Sequence, residues 1–120
     1  MAGHKVFTML FSNIYPLYVQ KVEKKGRTRE DVDSVISWLT GYTASALLEC
    51  VEKNITLEQF INNAPQFNKD AKLIKGVICG YRVEDIEDPL MQKIRYMDKL
   101  VDELAKGKPL DKVIHKEDLT

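Results

Sequence analysis

One segment, from Asp88 to Lys106, constrains the fold of this chain more than any other. Its apolar residues recur at alternating spacings of four and three, the period of one helix face, at Leu90, Ile94, Met97, Val101 and Leu104. Asp88 and Pro89 are residues typical of a helix start, and Gly107 is typical of the position after a helix end. The segment therefore predicts a long amphipathic helix over about 89–106, whose apolar side the rest of the chain must cover.

Further helix signals recur along the preceding part of the chain. Thr28 and Thr43 each stand before an apolar stripe of helical spacing, and the stripe after Thr43 is expected to bury Leu48. Segment 56–59 has the pattern of a capping box, and Gly41 stands where a helix end is expected. With 120 residues, 44% apolar and 30% charged, we predict an all-α single domain of six or seven short helices packed around the long C-terminal helix.

Some segments carry conflicting signals. Because proline is unfavourable in a helix interior, Pro16 is expected near a helix start. We therefore expect a short helical turn or extended piece first, then a helix that begins near Pro16 and buries Leu17. Residues 73–79 combine helical spacing with β-favouring side chains, so a helix and a buried strand both remain open. Residues 1–5 and 115–120 are expected to be loosely ordered.

The charge balance and the cysteines exclude several classes of protein. Lys+Arg and Asp+Glu both number 18, and a net charge of zero disfavours a nucleic-acid coat or a membrane-surface protein. Cys50 and Cys79 follow no metal or redox spacing and stand in apolar settings typical of core cysteines. No apolar run approaches the roughly 18 residues of a membrane span. We expect a reduced, cytoplasmic protein without a signal peptide, cofactor or metal site.

Two long phrases of the sequence resemble one known family. They are YPLYVQKVEKKGRTREDVDSVISWLTGY, at Tyr15–Tyr42, and GVICGYRVEDIEDPLMQKIRYMDKLVDELAKGK, at Gly76–Lys108. The chain resembles the DUF2200 family of small bacterial proteins over most of its length, with the tail after Lys108 matching least. The resemblance implies a single-domain bacterial cytoplasmic protein. It lends no catalytic residue, since the family is named for having no known function.

The basic turn from Lys24 to Arg29 is the first candidate binding site. Residues 1–30 carry six basic and two acidic side chains, and the helix start predicted at Thr28 offers free N–H groups. A phosphate or an acidic partner would be held by Lys25, Arg27, Thr28 and Arg29. The alternative, which we favour, is a solvated turn between two helices whose cap is already satisfied.

Tyrosines and arginines form the second candidate. A tyrosine has an apolar body and a polar tip, so several of them beside a guanidinium can line a ligand pocket. The residues of such a cleft would be Tyr15, Tyr42, Arg82 and Arg95. The alternative, again favoured, is that the tyrosines pack in the core.

Three further chemistries are disfavoured by the residue types present. Segment 33–52 could form a helix-turn-helix, but residues 31–65 contain five acids and one base, which is unsuited to DNA. The acidic run 84–88 has no EF-hand or Glu-x-x-His pattern. The two histidines, His4 and His115, stand near the ends of the sequence, far from either cysteine, so no catalytic residue is assigned.

These observations favour a non-catalytic cytoplasmic binding or interaction module over an enzyme. The expected partners are another protein, a second copy of the chain in a homodimer, or a phosphorylated small molecule; nucleic acid and membranes are not favoured. The alternative is a small enzyme or metabolite-binding enzyme subunit with a Tyr/Arg-lined cleft, and helix-turn-helix DNA binding comes third.

Overall fold

The computed structural model describes residues 5–114, and it confirms the predicted all-α class. The α-helices within this range are α1 Phe11–Glu23, α2 Arg29–Thr40, α3 Ala44–Glu52, α4 Leu57–Asn62, α5 Pro89–Ala105 and α6 Leu110–Val113. Short 3-10 helices and one antiparallel hairpin complete the regular structure: 3-10 helices Lys5–Thr8, Lys69–Leu73 and Val83–Asp85, and strands β1 Val77–Ile78 and β2 Tyr81–Arg82. The expectation of loose order at 1–5 and 115–120 falls, apart from Lys5, outside the described residues.

Helix α5 lies at the centre of the fold, as its apolar seam predicts. Its start is capped by Asp88, whose Oδ1 accepts hydrogen bonds from the backbone N–H groups of Leu90 (2.9 Å) and Met91 (3.1 Å). Gly107 follows its end with a φ of +93°. The seam packs against α1, α2 and α4, with full burial of Ile94, Met97, Val101 and Leu104. The long helix therefore supplies one wall of the core formed by residues 5–114.

Helix α1 differs from the prediction, because it begins at Phe11 and carries Pro16 in its interior. The missing N–H of Pro16 removes one helical hydrogen bond. That loss is offset by the early start, which buries Phe11 completely and stacks its ring on Phe60 at 4.0 Å between centroids. The buried face that results leaves Leu17 56% exposed. Leu48 on α3, also expected inside, is 53% exposed.

Residues 73–79 are neither a continuous helix nor a buried strand. The 3-10 helix Lys69–Leu73 is followed by the hairpin, whose two-residue turn has φ of +54° at Cys79 and +85° at Gly80. Consecutive positive φ angles twist a turn so that it joins two antiparallel strands closely. Val77 is 54% exposed, so this hairpin lies on the surface.

Candidate functional site

Arg27, in the predicted basic turn, joins two parts of the fold. Its Nε donates to Asp31 Oδ2 at 3.1 Å, and its Nη1 donates to the backbone carbonyl of Lys108 at 2.6 Å. The guanidinium thus links the α1–α2 turn to the segment between α5 and α6. These hydrogen bonds pair the guanidinium with groups of the protein itself, so it is less available to bind an anion.

The other residues of the basic turn are more open. Arg29 Nε lies 3.9 Å from Asp33 Oδ2 and is mostly exposed. Thr28 precedes α2, but its side chain makes no capping hydrogen bond, and the ammonium of Lys25 has no ion-pair partner among residues 5–114. The predicted set therefore lies together on the surface, with its arginines already paired to carboxylates.

Arg27→Ala should lower the free energy of unfolding by about 1–2 kcal/mol, because it removes partly exposed charged hydrogen bonds to Asp31 and to the Lys108 carbonyl. The matched control is Lys25→Ala, which should stay within about 0.5 kcal/mol of wild type. Urea denaturation followed by circular dichroism measures both. Equal stability of the two variants would show that the Arg27 link contributes nothing.

The tyrosines of the predicted cleft have internal partners. The hydroxyl of Tyr15 donates to Asp33, and that of Tyr42 donates to the carbonyl of Phe60 at 2.7 Å. Burial, followed by the bond to Asp33, raises the pKa of Tyr15, while burial raises the pKa of Tyr42 to about 12. Both side chains are therefore protonated donors at neutral pH: Tyr15 joins α1 to α2, and Tyr42 joins the α2–α3 connection to α4.

The arginines of that cleft lie apart from these tyrosines. Arg82 Nε donates to Glu84 at 2.8 Å, whereas Arg95 Nη1 donates to Asp98 at 2.7 Å. The hydroxyl of Tyr18 donates to the same Asp98 carboxylate. Three of the four predicted cleft residues, Tyr15, Tyr42 and Arg95, line three separate depressions rather than one.

One of these depressions, here called the hairpin cleft, lies between the β1–β2 hairpin and the start of α5 and has a volume of about 540 Å³. Its lining is aromatic, aliphatic and acidic, with one guanidinium: Tyr81, Asp85, Ile86, Glu87, Asp88, Met91 and Arg95. Tyr81 is 70% exposed. Of these residues, the predicted Tyr/Arg cleft included Arg95 alone, although Gly80 between β-favouring residues was a local turn signal beside Tyr81.

The hairpin is attached to its surroundings by polar contacts. Glu84 accepts the backbone N–H of Gly76 at 3.0 Å with Oε1, and Arg82 at 2.8 Å with Oε2. The hydrogen bond from Gly76 is the main cause that lowers the pKa of Glu84 to about 2. From α5, Lys99 Nζ donates to the carbonyl of Val77 at 3.3 Å. These contacts hold one wall of the cleft in position against the helix.

The charge of the hairpin cleft is negative. Asp85 and Glu87 form no ion pair with any described residue, and Asp88 is occupied as the cap of α5. The positive charge of Arg95 is offset by Asp98 at 2.7 Å. A basic group entering the cleft would therefore meet uncompensated carboxylates.

The remaining candidate chemistry does not assemble within the described residues. Residues 5–114 contain no group of three or more His, Cys, Asp or Glu side chains able to hold a metal ion. Cys50 is buried, which raises the pKa of its thiol, whereas Cys79 is exposed in the hairpin turn and is not the core cysteine that was predicted. His4 and His115 lie outside the described range. None of the described helices has the length and apolar character needed to cross a membrane.

The fold and its surface define a small all-α domain with open clefts. The family model "Uncharacterized protein conserved in bacteria (DUF2200)" matches residues 5–115, so the chain belongs to the DUF2200 family, as the resemblance indicated. A solved structure, "Crystal structure of uncharacterized protein SP1917", is similar at 45% identity, covering 97% of this chain and 96% of that chain with a TM-score of 0.89. No curated protein matches the chain.

Proposed function

We propose that this protein is a non-catalytic interaction module that binds a segment of a partner protein in the hairpin cleft. The observation that carries the proposal is the exposure of Tyr81, at 70%, beside the apolar side chains of Ile86 and Met91 in a concavity of about 540 Å³. Aromatic and aliphatic anchors at a concave surface supply most of the binding energy at protein interfaces. The hairpin contacts to Glu84 and Lys99 support a preformed cleft, which reduces the ordering cost of binding.

Charge favours a basic partner segment. The unpaired carboxylates of Asp85 and Glu87 rim the cleft, and Arg95 is neutralised by Asp98. A segment with Lys or Arg next to an apolar side chain would satisfy both the carboxylates and the apolar floor. An acidic segment would be repelled by the same carboxylates, so the cleft discriminates by charge.

The alternative functions have less support from the geometry. An enzyme with a Tyr/Arg cleft needs its side chains to converge, yet Tyr15 and Tyr42 line separate depressions and use their hydroxyls internally. A phosphorylated ligand at the basic turn would compete with Asp31 and Asp33 for Arg27 and Arg29. The hairpin cleft, by contrast, offers groups without internal partners.

Tyr81→Ala should weaken the binding of basic, apolar peptides at least about tenfold, equivalent to 1.4 kcal/mol, because it removes the aromatic anchor. The probe is an array of synthetic peptides that alternate Lys or Arg with Leu, Phe or Trp, together with the same peptides carrying Glu in place of the basic residues. The matched control is Leu48→Ala, which removes another exposed apolar side chain outside the cleft. Fluorescence anisotropy gives the dissociation constants.

The proposal predicts binding of the basic peptides to wild type and to Leu48→Ala, weaker binding to Tyr81→Ala, and no binding of the acidic peptides. Absence of any peptide binding, or binding that survives Tyr81→Ala, would overturn it. Size-exclusion chromatography with light scattering tests the homodimer. If wild type is a dimer and Tyr81→Ala is a monomer, the partner that binds in the hairpin cleft is a second copy of this chain rather than another protein.

A further inference from the structure

A second depression of about 540 Å³, here called the α2 pocket, lies where α2 ends and the chain returns through residues 63–68. Its lining includes the partly buried aromatic side chains of Trp38 and Phe67. Phe67 is also contacted by Lys93, whose Nζ lies 5.0 Å from the ring centroid. The volume is that of a small-molecule site, and its residues are separate from those of the hairpin cleft.

The wall of the α2 pocket is fixed by backbone hydrogen bonds. The last turn of a helix has carbonyl groups without helical partners, and here the returning chain satisfies them. Asn68 donates its Nδ2 to the carbonyl of Trp38 at 3.0 Å and its backbone N–H to that of Leu39 at 2.7 Å, while the N–H of Gln66 donates to Thr40 at 3.0 Å. The pocket is therefore preformed, and a ligand entering it does not have to order a loop.

Four polar side chains at this pocket remain without partners among the described residues: the hydroxyl of Ser37, the carboxamide of Gln66, the ammonium of Lys69 and the carboxylate of Asp70. The hydroxyl and the carboxamide each donate and accept hydrogen bonds. The charges of Lys69 and Asp70 cancel. The pocket thus combines aromatic walls, no net charge and an excess of free hydrogen-bonding capacity.

We propose that the α2 pocket binds a neutral saccharide. The C–H face of a sugar ring packs on the electron-rich face of an aromatic side chain, and its hydroxyls donate and accept as the free groups of the pocket do. A purely apolar ligand would bury those groups unpaired, and among the lining side chains the one cation, Lys69, is offset by Asp70, so the lining does not favour a phosphorylated ligand over a neutral one. This inference does not depend on the proposed interaction with a partner protein.

Trp38 is the only tryptophan of the chain, so its fluorescence reports directly on the pocket. Wild type is titrated with glucose, galactose, N-acetylglucosamine and maltose, and with ATP as the phosphorylated comparison. Isothermal titration calorimetry on the same samples detects binding that leaves the fluorescence unchanged. The expected result is saturable binding of at least one neutral saccharide, weakened about tenfold, or 1.4 kcal/mol, by Gln66→Ala or Asp70→Ala.

The control variant is Tyr81→Ala, which alters the hairpin cleft and should leave saccharide affinity unchanged. Circular dichroism confirms that each variant is folded before titration. The proposal is overturned by the absence of saccharide binding in both measurements, by affinity that survives the Gln66→Ala/Asp70→Ala double variant, or by binding of ATP alone. Loss of peptide binding in Tyr81→Ala with saccharide binding intact would show that the two sites are independent.

Discussion

Met97→Asp is expected to lower the free energy of unfolding by about 4 kcal/mol or more, a large share of the roughly 5–15 kcal/mol that a domain of this kind has. Met97 is fully buried in α5, where its side chain fills the seam that faces the other helices. A carboxylate there would either stay charged in an apolar environment or bind a proton at a cost in free energy. The loss of methionine packing adds to both penalties.

The matched control is Leu48→Asp, since Leu48 is an apolar helical residue that is 53% exposed. Its replacement by Asp should change the free energy of unfolding by no more than about 0.5 kcal/mol. Thermal and urea denaturation followed by circular dichroism compare the two variants. If Met97→Asp has the same melting temperature as wild type, α5 does not supply the core wall described above. If Leu48→Asp unfolds instead, the buried face of α3 has been assigned incorrectly.

The sequence predicted most helix boundaries because their signals are local. The capping box at 56–59 has both of its hydrogen bonds, Gln59 N–H to Thr56 Oγ1 at 3.1 Å and Thr56 N–H to Gln59 Oε1 at 3.0 Å. Asp88 caps α5 as predicted, and Gly41 ends α2 with a φ of +83°. Each of these features involves residues within a few positions of one another, so no knowledge of the tertiary structure was required.

The predictions that were wrong depended on contacts between distant residues. Helix α1 runs through Pro16 because Phe11 stacks on Phe60, which lies in a distant part of the sequence. Local helix propensity cannot predict such a contact. The exposure of Leu48 follows from which face of α3 meets α1. The strands of the hairpin have only two residues each, too few for a periodicity of two to be visible against a helical pattern.

The candidate sites show the same division. The basic turn was predictable as a cluster, since its residues are consecutive, but the link from Arg27 to the carbonyl of Lys108 spans 81 positions. The Tyr/Arg cleft was a prediction about convergence, which only the tertiary structure determines. Arg95 does line a cleft together with a tyrosine, but that tyrosine is Tyr81, whereas the hydroxyls of Tyr15 and Tyr42 form hydrogen bonds within the fold.

Gly41→Ala is expected to lower the free energy of unfolding by about 3 kcal/mol, from two additive causes. The φ of +83° at this position is the left-handed conformation that side chains disfavour by about 1–2 kcal/mol. In addition, a Cβ at Gly41 would lie 2.8 Å from the backbone nitrogen of Gln66. That nitrogen donates to the carbonyl of Thr40, so relieving the contact would break the hydrogen bond and displace the wall of the α2 pocket.

Gly26→Ala separates the two causes, because Gly26 has a φ of +81° but a Cβ there would meet nothing within 4 Å. Gly26→Ala should therefore lower the free energy of unfolding only by the conformational cost of about 1–2 kcal/mol. In a domain of this size, each kcal/mol lowers the Tm by about 4 °C. Gly41→Ala should melt lower than Gly26→Ala and should also weaken saccharide binding at the α2 pocket. Equal melting temperatures for the two variants would show that the backbone at Gln66 moves away from the new methyl group without a loss of stability. The wall of the α2 pocket would then be less rigid than its hydrogen bonds indicate.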